Sequence, residues 1–250
     1  MGSEVHATEL RKKMGLTAPP FLPKVAFDFL GVSYMESPLD GCLGMTLRVN
    51  GNTGVMVSSN IPEEGKKHFT AAHELGHVTI PSHAKINTFK CTNNDLMENS
   101  KKPEELEANK FAAEWLMPLE IFKPRCRRRD PGFDNISELA YDFNVTLTAA
   151  ATRFVEVTDH DIMLVASANG VMKYFKPSSD FPFKLDFGRL PNTYARNNLR
   201  GQPIPEEFMT VSSDEWFKGA QPESGEVLEY SVKLGDYDTV LTMLWVESPT

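Results

Sequence analysis

The sequence predicts an α+β chain: a small mixed sheet with helices, then a helical pair, then a β-rich or α/β C-terminal part. Three observations predict it. Apolar residues recur at helical spacing in two segments, about 66–80 and the one opening at Pro103. Two short β-rich runs flank Asn50-Gly51, a dipeptide suited to a tight hairpin turn. From about residue 160 the pattern changes to strands, with a second such dipeptide at Asn169-Gly170.

Taken in order, residues 8–35 alternate short helical patterns with proline breaks. "GMTLRVNGNTGVMVSSN" (44–60) reads as a hairpin, and a helix follows until Pro81 stops it. Pro103 suits the first turn of the next helix, where Ala108, Phe111, Ala112 and Trp115 form an apolar stripe ending at Pro118. The basic stretch "KPRCRRRDPG" (123–132) marks a boundary. Beyond it, Ile136, Leu139, Ala140 and Phe143 share a helix face, Asn144 tolerates a left-handed turn, and Thr146 can cap a second helix. "DIMLVASANGVMKYF" and "VLEYSVKLGDYDTVLTMLWVES" read as hairpins, with Trp216, Tyr230 and Trp245 as core residues. The expected domains are 1–124, 125–158 and 159–250.

Composition narrows the function. A formal net charge of −8 argues against a general affinity for nucleic acid. Three widely spaced cysteines, Cys42, Cys91 and Cys126, give neither a CxxC metal knuckle nor a disulfide framework. No apolar run reaches the roughly 18 residues of a membrane span, and the opening residues lack a signal-peptide pattern. The expected location is the cytoplasm, with no membrane partner.

The chemistry concentrates in "HFTAAHELGHVTIPSH" (68–83). His73 and His77 are spaced i, i+4, which puts two imidazoles one helical turn apart on one face. Glu74 is rotated about 100° from His73 around the helix axis. It can therefore reach a water polarised by the metal without being a ligand, the position of a general base. His-Glu-x-x-His on a helix is the signature of metalloproteases. Gly76 leaves room for a neighbouring element to approach.

Two sources for a third ligand remain open. His83 has the spacing of sites in which a glycine turns the chain after the second histidine. Here Ile80 and Pro81 occupy that turn, and a β-branched residue is poorly suited to positive φ. The rival is an acidic residue of "EELEAN", which offers Glu104, Glu105 and Glu107. Glu105 and Asn109 share a face, so Glu105 could ligate while Asn109 holds the outer nitrogen of a histidine ligand.

"HFTAAHELGH" followed by "ELEANKFAAEWLMP" resembles the ImmA/IrrE family of bacterial metallopeptidases over residues 45–120. The resemblance implies a zincin-like domain with His73, His77 and Glu105 as metal ligands, the gluzincin arrangement. It also implies Glu74 as catalytic base and Asn109 as partner of a ligand. One Zn²⁺ per chain is expected, with Mn²⁺ as its competitor. Where the family carries RxRF before the metal helix, this chain has "KKHF".

The segment "ISELAYDFNVTLTAAATRF" resembles the helix-turn-helix-like pair that such proteins carry. Residues 121–157 hold six basic and five acidic side chains, net +1, and the second helix offers one arginine for base edges. The expectation is a packing module without direct DNA contact. The resemblance implies a helix-turn-helix transcriptional repressor as protein substrate, cleaved in a stress or mobile-element response. The alternative is a non-proteolytic regulator that retains the metal fold. An extended substrate could pair with an edge strand at "GVMVSSN" (54–60). Tyr141, His68 and His160 are the available donors for an oxyanion.

Overall fold

The computed structural model describes residues 2–96, 102–127, 129–220, 222–235 and 239–247. They divide into two compact units. The first comprises the chain up to Phe122 together with Leu139–Ala149; the second comprises Lys123–Glu138 and the chain from Ala150 onward.

In the first unit, helices α1 (Ser3–Lys13) and α2 (Pro23–Leu30) precede strands β1 (Ser33–Ser37), β2 (Gly44–Val49) and β3 (Asn52–Ser58). Then come α3 (Glu64–Thr79), a 3₁₀ turn (Pro81–Lys85), β4 (Thr88–Cys91) and α4 (Pro103–Leu116). The hairpin expected at Asn50-Gly51 forms, with both residues in the left-handed region at φ 51° and 79°. The four strands lie in the order β1-β3-β2-β4, with β1 parallel to β3 and the other pairs antiparallel. The sheet is therefore mixed.

One expectation fails here. Residues 54–60 do not supply an edge strand, because β3 lies between β1 and β2. Its second neighbour comes from a segment that reads as broken helix and whose side chains are mostly exposed. The edges of this sheet are β1 and β4.

Helices α3 and α4 pack at Gly76. A Cβ there would stand 3.2 Å from Ala108 Cα and 3.2 Å from Phe111 Cβ, so a larger residue requires α4 to give by a few tenths of an ångström. The expected stripe of Ala108, Phe111, Ala112 and Trp115 is wholly buried. Trp115 satisfies its indole N–H on the Phe21 carbonyl at 2.9 Å. The buried Arg11 guanidinium of α1 donates to the carbonyl and carboxylate of Glu114 on α4. A charge out of water is tolerable only when paired in this way.

Helices α5 (Leu119–Cys126), α6 (Phe133–Phe143) and α7 (Leu147–Val157) each cross the division between the units. Asn144, at φ 53°, makes the turn between α6 and α7, and Thr146 Oγ1 accepts the Ala149 N–H at 3.2 Å as the α7 cap. Of the basic stretch, Arg129 is paired with Glu138, and Arg128 lies outside the described residues.

The second unit adds β5 (Asp161–Ala168), β6 (Val171–Pro177), β7 (Lys184–Leu185), β8 (Met209–Ser212), β9 (Phe217–Lys218), β10 (Glu226–Lys233) and β11 (Thr239–Val246). Five form an antiparallel sheet in the order β6-β5-β11-β10-β8, and β7 pairs with β9. The C-terminal sheet is thus all antiparallel. Met163, Val165, Trp216 and Leu244 pack in its core. Tyr230 is buried, whereas Trp245 is only half-buried. No described helix is long and apolar enough to cross a membrane.

Candidate metal centre

The metal helix forms where its spacing places it, and it ends at Thr79 because Ile80 turns extended (φ −72°, ψ 121°) before Pro81. Its chemical residues face inward: His73, Glu74 and His77 are completely buried. Helix α4 brings Glu105 against them. His73 Nε2 lies 2.9 Å from Glu105 Oε2 and 3.1 Å from His77 Nε2, and His77 Nε2 lies 3.4 Å from Glu105 Oε2. Three donor atoms thus converge on one point. Donors about 2.0–2.1 Å from a tetrahedral zinc stand about 3.3 Å apart, so the set fits that ion without rearrangement.

Electrostatics leave this trio ready for a cation. Burial pushes His77 down to about 4, so the ring is neutral near pH 7. Burial would raise Glu105, but its close contacts with the His73 and His77 rings outweigh it and hold the carboxyl well below the usual range. A neutral His77 imidazole beside an ionised Glu105 carboxylate is the pairing that ligation requires.

Glu74 sits beside the trio rather than in it. Its Oε2 accepts the Thr46 hydroxyl at 2.6 Å, from strand β2. Its Oε1 is buried and has no hydrogen-bond partner among the described residues. Gly44 makes that space, since a Cβ there would stand 2.7 Å from Oε1. Burial raises the Glu74 carboxyl to about 7, with the charge of Glu105 adding to it and His73 and Thr46 opposing it. A carboxyl that gains and loses its proton near neutrality is suited to general acid–base work.

Further contacts hold the histidines. His73 Nδ1 donates to Asn109 Oδ1 at 2.8 Å, the contact expected of Asn109, and Asn109 Nδ2 donates in turn to the Asp95 carbonyl at 2.8 Å. The His77 ring stacks on Phe89 with centroids 3.7 Å apart. Arg48 donates to the carbonyls of His77 and Ile86. Cys91 donors lie within 4.8 Å of His73 and Glu74, and burial, then the charges of Glu74 and Glu105, raise its thiol far above the usual range.

His83, the rival third ligand, stands outside the trio: its Nδ1 lies 3.0 Å from the outer nitrogen of His77. Ile80 and Pro81 explain this, because they open a 3₁₀ turn instead of the sharp glycine turn a third histidine ligand needs. Of the oxyanion candidates, Tyr141 is exposed, His68 Nδ1 meets the Asn144 carbonyl at 3.2 Å, and His160 packs edge-on against Trp245 in the second unit. Sequence reasoning missed Thr46, Gly44 and Arg48, and read Glu107 as a candidate ligand rather than as a partner of His83. Only Glu107 carried a signal, as a member of the glutamate run.

The profile of peptidase family M78, the IrrE N-terminal-like domain, matches residues 30–155, which contain all of these site residues. The chain belongs to this family. Membership in M78 makes it a member of a metallopeptidase family, and supports the ImmA/IrrE resemblance read from the two motifs. Among solved structures the fold is similar to a Mycobacterium tuberculosis transcriptional regulator, with a TM-score of 0.59 at 14% identity, covering 97% of this chain and 74% of that one. No curated protein matches.

Proposed function

We propose that this M78 protein is a zinc-dependent endopeptidase that cleaves a helix-turn-helix transcriptional repressor and so relieves repression in a stress or mobile-element response. One observation carries the reading: three buried donors of His73, His77 and Glu105 converge at 2.9–3.4 Å, with the unpartnered Glu74 oxygen alongside. One ion per chain would be held by those three residues. Zinc there, or manganese as its competitor, supplies Lewis acidity for a water and for the scissile carbonyl.

The protein's own residues do the rest. Glu74 Oε1 takes the proton of the attacking water and returns it to the leaving amine, while Thr46 fixes the other oxygen. Asn109 keeps the His73 proton on Nδ1, so that Nε2 presents its lone pair. Strand β4, at the sheet edge and carrying Cys91 beside His73, is the place for an extended substrate to pair. The α6–α7 pair serves packing rather than DNA contact: Arg129 is paired with Glu138 and Arg153 with Glu156, which leaves less charge for phosphates.

Replacing Glu74 by Gln tests this. Cleavage of the repressor should fall by about 10²–10⁴-fold while bound metal per chain stays unchanged. The structural neighbour's name, transcriptional regulator, favours a second reading in which the chain acts by binding alone. Full relief of repression by the Glu74→Gln protein would establish that reading and discard the peptidase.

A further inference from the structure

Helix α4 holds the outer nitrogens of both histidines, by two different devices. For His73 it is direct, through Asn109. For His77 there is a line of two residues: His77 Nδ1 lies 3.0 Å from His83 Nδ1, and His83 Nε2 lies 3.0 Å from Glu107 Oε2.

Counting protons orders this line. A neutral imidazole has one N–H and one lone pair. For His77 to turn the Nε2 lone pair toward Glu105 and His73, its proton must sit on Nδ1 and be donated to His83 Nδ1. His83 then accepts at Nδ1, so its own proton sits on Nε2 and is donated to Glu107. Two ring nitrogens 3.0 Å apart allow this assignment and no other once His77 Nε2 is to be a ligand.

The surroundings lock the geometry. His83 is completely buried, on a 3₁₀ turn opened by Pro81. Phe89 lies against both rings, with centroids 3.7 Å from His77 and 5.5 Å from His83. Arg48 ties the carbonyl of His77 in α3 to that of Ile86 just past this turn, and Ser82 Oγ donates to the same Glu107 oxygen at 3.3 Å. The two devices also differ in charge. The His73 line ends on a neutral amide, whereas the His77 line ends on a carboxylate that reaches the surface at 47% side-chain exposure.

We infer that His83 and Glu107 are positioning residues for the metal ligand His77: they fix its tautomer and ring, and the Glu107 charge strengthens its Nε2 as a donor. This rests on the metal site of the proposed function and is independent of proteolysis. Partners that orient a ligand in this way are worth about 10–100-fold in metal affinity.

The test uses the intact protein and Co²⁺, titrated in competition with a chromophoric chelator and followed by its visible absorption, with folding checked by circular dichroism. His83→Ala should weaken Co²⁺ binding by about 10–100-fold while keeping the absorption of the three-ligand site. His83→Asn, whose amide oxygen stands where Nδ1 stood, should restore most of the loss. Glu107→Gln should weaken binding less than His83→Ala, and the double variant should be no weaker than His83→Ala alone, because Glu107 acts through His83. Equal affinity of wild type and His83→Ala overturns the inference, as do additive losses in the double variant or an Asn that restores nothing. Should His83→Ala not fold, Glu107→Gln decides, and unchanged affinity there overturns it. A wild-type protein that binds no Co²⁺ defeats the metal-site reading itself, a different outcome from variants that all bind alike.

Discussion

Two buried glutamates, Glu74 of the first unit and Glu229 of the second, are treated in opposite ways. Glu229, on β10 of the second unit, accepts the Ala195 N–H at one oxygen and the Trp216 indole N–H, at 2.9 Å, at the other. Glu74, on α3 of the first, has one oxygen engaged by Thr46 and the other left without a partner. Burial raises both carboxyls. Burial and a raised pKa are therefore shared by a carboxylate with both oxygens engaged in a core and one with an oxygen left unpartnered. The difference lies in the unpartnered oxygen and in the glycine that keeps space open beside it.

The largest test of this contrast removes the organising carboxylate. Glu229→Ala strands two buried donors, each costing about 1–3 kcal/mol, so urea unfolding should show the protein about 3–4 kcal/mol less stable. Metal content of the folded fraction should not change, and a loss under 1 kcal/mol would mean that Glu229 is dispensable to its core. Next, Gly44→Ala puts a methyl 2.7 Å from Glu74 Oε1. The peptidase reading expects kcat/KM to fall by about 10–100-fold with metal binding intact, since a displaced base loses its alignment. Full activity would show that the space beside Oε1 is not used.

The smallest effect is one of pH, in metal-stripped protein. His77, lowered to about 4, contributes stability that is present above its unfolded pKa near 6.5 and is lost as pH falls toward 4. Glu74, raised to about 7, does the reverse: its contribution is present below its unfolded pKa near 4.3 and is lost as pH rises through 7. Between about pH 4.5 and 6.5 the two oppose each other. Glu74→Gln removes the second, so its stability should drop more steeply with acid than that of wild type, by up to about 1.4 kcal/mol per pH unit. Parallel urea midpoints for the two proteins across that window would rule out a Glu74 carboxyl that is protonated when folded.

The site was legible wherever its geometry is local or repeated within one helix. His73 and His77 are a turn apart, the Ala108–Trp115 stripe marks the buried face of α4, and the glutamate run on that helix contained both Glu105 and Glu107. What the spacing could not show depends on contacts across elements. Thr46 is one residue of an ordinary strand until that strand lies under α3. His83 looked like a rival ligand because six residues of separation say nothing about which nitrogen points where. The edge strand was misplaced for a similar reason: a hairpin signal reveals one neighbour of β3, while its parallel partner β1 begins about twenty residues upstream with no alternation to announce it.

The close approach at Gly76 has a consequence for how the protein is born. The imidazole pair belongs to α3 and the carboxylate to α4, and they meet only when the two backbones seat against each other at that residue. A chain still emerging from the ribosome, with only α3 outside, owns two of the three donors. The three-donor cluster is therefore complete only after α4 has been made and has docked against α3.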